Sequence, residues 1–258
     1  MHETEDKKVW NDSFAYRIRR KIIFNDLISK LPRSKHFLDI GLGGGNFCID
    51  MARQNFSGEG IDISEEAVVI AKCRLRNYLD KVCIQKQDII DKENNKKYDI
   101  ISIFEVLEHV KDDNAVVKKI YSLLDQDGYC VFSVPAHQKK WSILDEWAGH
   151  FRRYERKDIE KLLQDNNFSI KRIYSYGFPL VNVLRFIQKK LVKKSSVADG
   201  MEENTKKSGI DRKHGEKFKF LFNDFVVWPF YIIQKLFTNL DISTGYLVIA
   251  KKTDNSDD

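Results

Sequence analysis

The chain has 258 residues, 42% hydrophobic and 32% charged, a globular composition suited to one domain with an elaboration. Its net charge of +6 lies between Arg185 and Lys219, where eleven Lys/Arg meet five Asp/Glu; the remaining residues carry 33 of each sign, and a neutral core argues against nucleic acid as a partner. The charged start MHETEDKK predicts no signal peptide, and no run of about 18 apolar residues is present to span a membrane, so a cytoplasmic protein is expected.

Asp12 to Leu31 is predicted to be helical: Phe14, Ile18, Ile22 and Leu27 recur near the helical period, with Arg17, Arg19, Arg20 and Lys21 between them, and Pro32 ends the segment. Short apolar runs then alternate with amphipathic ones. HFLDIG reads as a buried strand and NFCIDMARQ as a helix behind a glycine loop. GEGIDI is a second strand, and SEEAVVIAKCRLRNYL a helix capped by Ser64 with two acids in its first turn. VCIQKQD and YDIISIFE are the next strands; DDNAVVKKIYSLL is a helix closed by the turn DQDG; YCVFSV is a fifth strand and RKDIEKLLQDNN a helix. FSIKRIYSY and TGYLVIAKK are two closing strands. Cys48, Cys73, Cys83 and Cys130 show no C-x-x-C spacing and read as reduced thiols.

This alternation predicts an α/β fold with a doubly wound, parallel sheet covered on both faces. Ligands in such sheets lie beyond the carboxyl ends of the strands, where the winding reverses. Asp39, Asp62, Asp88 and Glu105 all fall at or near those ends.

The glycine loop fails two phosphate-binding patterns. G-x-G-x-x-G breaks at Asn46, and no Gly-Lys-Ser/Thr follows. What remains is D-x-G-x-G-x-G, carried by Asp39, Gly41, Gly43 and Gly45. It resembles the first motif of class I methyltransferases that use S-adenosylmethionine, in which bare backbone lets the cofactor lie close. GEGIDIS resembles the second motif, KQDI the third and YDIISIFEVLEHV the fourth, over about residues 35 to 175. The resemblance implies a Rossmann-like seven-stranded sheet. It also implies S-adenosylmethionine as cofactor and S-adenosylhomocysteine as product. Asp62 would take the ribose hydroxyls with Ile63 beside it; Asp88 would take the adenine amino group with Ile89 packed near the ring; Glu105 would be a further cofactor contact. The implied organisation is an N-terminal helical cap (1–34), a core (35–178 and 243–252) and a helical insert (179–242).

Methyl transfer needs a nucleophile aligned about 3 Å from the methyl carbon, and a base if that nucleophile is a hydroxyl. His109, after the fourth strand, is one candidate base, its ordinary pKa suiting the role. The segment after the fifth strand resembles a bacterial methyltransferase group with W-S-x-x-D-x-x-x-G-H-x-R-R-Y, matched by Trp141, Ser142, Asp145, Gly149, His150, Arg152, Arg153 and Tyr154. His150 is the second candidate base. Trp141, Asp145, Arg153 and Tyr154, with Tyr16 and Arg17 of the first helix, are candidate acceptor contacts; the alternative is an internal Asp–Arg–Tyr network that shapes the loop. No metal is expected, since no further acids or histidines show ligand spacing.

Before the last strand, FPLVNVLRFIQKKLVKK is basic and amphipathic, and FKFLFNDFVVWPFYIIQKLF carries eight aromatics. Such a segment needs cover. Extra core, an anionic membrane surface or greasy acceptor met through residues 185–237, and a homodimer contact all fit. The sequence thus reads as a methyltransferase for an oxygen or nitrogen of a small metabolite or lipid-linked acceptor. A macromolecular acceptor and a non-catalytic cofactor-binding regulator are the alternatives.

Overall fold

The computed structural model describes residues 14–31, 35–179, 232–233, 236–237 and 240–253. Nearly all of the basic amphipathic segment and of the aromatic stretch expected before the last strand lies outside the described residues. Among the described residues, no helix is long and apolar enough to cross a membrane.

The chain opens with α1 (Phe14–Asp26) and a 3-10 turn at Ile28–Lys30. It continues through β1 (His36–Ile40), α2 (Asn46–Arg53), β2 (Ser57–Asp62), α3 (Glu65–Arg74), β3 (Val82–Lys86) and β4 (Tyr98–Phe104). Then come α4 (Asp113–Leu123), β5 (Leu124–Pro135), α5 (Ile143–Ala148), α6 (Arg156–Gln164), β6 (Phe168–Tyr176) and β7 (Gly245–Lys252). Local chemistry sets several of these ends. Ser64 Oγ accepts from the Ala67 amide at 3.3 Å and Asp112 from Ala115 at 2.9 Å, which starts α3 and α4. The α3 helix stops at Arg74 rather than Leu79, because Leu75 turns inward and is fully buried against Gly45. The DQDG turn bulges out of β5: the register jumps from Tyr98↔Leu124 to Ile100↔Tyr129, with Asp127 at φ 63.

The sheet order is β3-β2-β1-β4-β5-β7-β6. The first five strands pair in parallel, as the alternation predicts. The sheet is nonetheless mixed: β7 lies antiparallel between β5 and β6, filling the gap left by the crossover through α6. Strand β1 neighbours both β2 and β4, so the winding reverses there and opens a crevice beyond their carboxyl ends.

Side chains alternate between two cores. Phe37, Ile100 and Val131 face one with α1, α2 and α3 (Ile18, Ile22, Phe47, Met51, Ala71); Leu38, Ile101 and Phe132 face the other with α4 and α6 (Val117, Ile120, Ile159). Helix α1 belongs to the first core and adds polar anchors. The Tyr16 hydroxyl donates to Asp50 at 2.7 Å, Arg20 pairs with Asp50 at 2.7 Å, and Tyr174 donates to Asp26.

Candidate active site

The β1–α2 loop is held as bare backbone. Gly41, Gly43 and Gly45 adopt φ of 69, 53 and 73, the left-handed region open to glycine. At Gly41 even a Cβ would collide with Val106 of the loop after β4. The two carboxyl-end loops are therefore packed directly together. The amides of Gly41 and Leu42 donate to Ile61 O at 2.9 and 3.1 Å, and Arg74 of α3 donates to Gly44 O.

Two carboxylates support this loop. Asp62 accepts from the Gly43 amide at 3.0 Å and the Ser64 amide at 2.9 Å. Burial raises its carboxyl, and the backbone N–H groups of Ser64, Gly43 and Ile63 oppose that. Asp39 lies beneath the loop, on the first-core face, accepting from Ser102 Oγ at 2.6 Å and Cys48 Sγ at 3.5 Å. Burial pushes its carboxyl up to about 7, against those hydrogen bonds. Beside Asp62, Ile63 is 56% exposed, an apolar surface available to a ligand; Asp88 is exposed, its Oδ1 accepting from the Ile90 amide at 2.9 Å, and Ile89 is buried.

At the tip of β4, Glu105 turns with φ 55. Its Oε1 accepts from Arg19 Nη1 at 3.0 Å, Ser133 Oγ at 2.8 Å and Tyr176 OH at 3.0 Å. Arg19 Nη1 also donates to Ser133 Oγ at 2.5 Å, and the guanidinium lies 5.3 Å from the Phe104 ring centre. A buried cation from α1 thus closes the first-core side of the crevice.

The loop after β5 folds on itself. Ser142 and Asp145 form a capping box for α5, with Asp145 Oδ2 accepting from the Ser142 amide at 2.8 Å. Gly149 ends that helix at φ 75. Asp145 Oδ1 pairs with His150 Nδ1 at 3.0 Å and with Arg153 Nε at 2.8 Å and Nη2 at 2.7 Å. Burial alone would raise the Asp145 carboxyl; His150 and Arg153 reverse this and hold it well below the usual carboxylate range. Arg153 also donates to Ala136 O at 3.0 Å, and Tyr154 OH to Asp113 at 2.8 Å. The loop docks on the β4 tip, where the Phe151 amide donates to Glu108 O at 2.7 Å. That contact brings the His109 and His150 rings edge to face, 4.7 Å between centres, with the wholly buried Glu108 beside them. Burial, then His150, lower His109 to about 4, so the ordinary pKa expected for it does not hold.

The three glycines, Asp62, Ile63, Glu105, His109 and His150 lie beyond the strand ends, with Asp39 buried beneath the glycine loop. Of the six expected acceptor contacts, Tyr16, Asp145, Arg153 and Tyr154 have buried side chains. The Tyr16 hydroxyl is on Asp50; Asp145 and Arg153 pair with each other inside the loop, and Tyr154 turns away from them to Asp113 of α4. Arg17 and Trp141 are half-buried, and the Trp141 indole donates to Glu146 at 3.4 Å. Sequence reasoning missed Arg19, Ser102, Ser133, Tyr176 and Glu108, whose roles depend on which strand lies beside which.

Residues 12–172 match the family described as "Methyltransferase domain". Among curated proteins, the chain is 33% identical over 102 residues to the ubiquinone biosynthesis O-methyltransferase of Coxiella burnetii, covering 39% of this chain and 44% of that one. The Neisseria meningitidis (serogroup C) protein of the same name is 34% identical over 106 residues, with 39% and 44% covered. The chain spans under half the length of these relatives. Among solved structures, a putative sarcosine dimethylglycine methyltransferase from Galdieria sulphuraria superposes with TM-score 0.63 at 14% identity, covering 92% and 85% of the two chains. The magnesium protoporphyrin IX methyltransferase of Synechocystis, with bound S-adenosylhomocysteine, gives 0.56 at 17% identity, covering 96% and 91%. At these identities the structures share the fold.

Proposed function

The chain belongs to the methyltransferase domain family, and we propose that it transfers the methyl group of S-adenosylmethionine to an oxygen or nitrogen of a small or lipid-linked acceptor. The observation that carries this reading is the coupling of Asp62 to the glycine loop. A carboxylate already bonded to the Gly43 and Ser64 amides keeps further acceptor sites for ribose hydroxyls, with exposed Ile63 beside it for the adenine. Oxygen is favoured as acceptor atom by the curated relatives, which are named O-methyltransferases.

The sulfonium is an intrinsically good leaving group, so the protein's work is alignment and handling of the acceptor proton. His109 is held neutral but weakly basic, while His150 is oriented by Asp145. His150 is therefore the stronger candidate base.

Hydrogen bonds to a charged acceptor are worth roughly 1.5–3 kcal/mol each. Asp62→Ala should therefore weaken S-adenosylhomocysteine binding by one to a few powers of ten in calorimetry. Unchanged affinity refutes the assignment. Release of S-adenosylhomocysteine when the wild type meets S-adenosylmethionine and a cell extract tests turnover itself, and its absence favours a non-catalytic binder.

A further inference from the structure

Building on the methyl-transfer reading, we propose that Glu108, His109 and His150 bind one divalent transition-metal ion, of the Zn²⁺ or Co²⁺ kind, which holds the acceptor's hydroxyl. One donor atom from each side chain lies within 4.8 Å of the other two. His150 Nε2 is 3.9 Å from Glu108 Oε1, and the Glu108 side chain is wholly enclosed. His109 Nδ1 is buried and meets no hydrogen-bond partner among the described residues. Two imidazole nitrogens and a carboxylate suit first-row divalent ions that keep positions open for substrate.

The surrounding groups fit the same role. Asp145 Oδ1 takes Nδ1 of His150 at 3.0 Å, which fixes the tautomer and leaves the Nε2 lone pair facing Glu108. A carboxylate behind a ligating imidazole is the usual outer support of a metal site. Arg153 holds that carboxylate in turn, at 2.7 Å. The competing explanation is a bare Glu108–His150 ion pair. Its 3.9 Å separation is long for a charge-assisted hydrogen bond, about 2.7–2.9 Å. Two ligands of an ion bound at about 2.0–2.2 Å stand roughly 3.3–3.6 Å apart, so only small side-chain movements close the set.

Position gives the ion its use. Val106, which packs on the glycine loop, is three residues before His109, so the cluster stands beside the cofactor crevice. A hydroxyl held by the ion releases its proton to solvent more readily. Its oxygen then forms the O–CH₃ bond as the S–CH₃ bond breaks, and that bonding pair returns to sulfur, leaving a neutral thioether. On this account His150 is a ligand rather than the proton acceptor.

The test is direct metal binding. Chelator-treated full-length protein is dialysed against Zn²⁺ or Co²⁺ and bound metal is counted by mass spectrometry. We expect one ion per chain, with His150→Gln and His109→Gln binding at least about tenfold more weakly, and Asp145→Asn, a positioning variant, about 10–100-fold more weakly. The visible spectrum of bound Co²⁺ should change in both histidine variants. Because Glu108 is buried and its variant is prone to misfold, the two histidine variants carry the test, each checked for native circular dichroism. No stoichiometric ion in the wild type, or full affinity in both histidine variants, overturns the site. Asp62→Ala keeps the two readings apart: it should lose cofactor and retain the ion. An ion without cofactor binding in the wild type sinks the methyl-transfer reading and leaves the site. Cofactor turnover indifferent to chelation sinks the site and leaves the reading.

Discussion

Asp39 occupies a place where an anion is costly. It sits under the glycine loop with Ser102 and Cys48 as partners, and burial lifts its carboxyl to about 7. The unfolded chain would release that proton near pH 4. The folded pKa is the higher one, so the stabilisation is fully present below about pH 4 and is lost as pH rises towards 7. Asp39→Asn keeps the shape and removes the titration. Relative to wild type it should gain a few kcal/mol between pH 5 and pH 8, at roughly 1.4 kcal/mol per unit. Urea unfolding at the two pH values measures this, and a gap that does not change with pH contradicts it. This residue also marks a limit of the sequence. An acid before three alternating glycines is visible in the string; that Ser102, sixty-three residues away, lies on the same sheet face is fixed by the β1–β4 register, Asp39↔Ser102.

Helix α1 shows the same limit one level up. Its apolar period is plain in the sequence, and so are its four basic residues, but their spacing does not say which one turns inward. Ile18, Ile22 and Ile23 bury against the first core, which draws Arg19 in with them towards Glu105, Ser133 and Tyr176. The guanidinium is thus a latch between the helix and the tips of β4, β5 and β6. Removing one partner of a buried pair costs about 3–5 kcal/mol, most of it from the charge left behind. Arg19→Met preserves bulk against Phe104 and should destabilise α1 by that order, discounted because Glu105 is partly exposed. Hydrogen exchange should show the α1 amides opening well before those of β1 and β4. Uniform protection across α1 and the sheet would mean that apolar packing alone seats the helix. The loop after β5 has the opposite history: its Asp, His, Arg and Tyr are conspicuous in sequence and invite assignment to an acceptor. In the structure Asp145 and Arg153 bond each other, Arg153 also reaches Ala136 and Tyr154 reaches Asp113, and Asp145 orients His150.

For the molecule as a whole, the alternation of the first five strands with helices, and so their parallel pairing, was readable because buried parallel strands and amphipathic helices differ in period. The direction of β7 was not, because an apolar strand pattern is the same read either way. That topology makes a ligand test global. The crevice is built from β1, β2 and β4 together with α1 and the loop after β5, which tie both cores to one rim, so a ligand bound there meets only the folded chain. Ligand at about a hundred times its dissociation constant then adds roughly 2.7 kcal/mol to stability. For a domain of this size, each kcal/mol moves the midpoint by about 2–4 °C. S-adenosylhomocysteine should therefore raise the wild-type unfolding temperature by roughly 5–11 °C at that saturation. At the same ligand concentration the rise should be largely lost in Asp62→Ala and kept in Arg153→Met, whose altered side chain supports the other loop. Equal shifts in wild type and Asp62→Ala would place the ligand away from the Gly41–Gly45 loop.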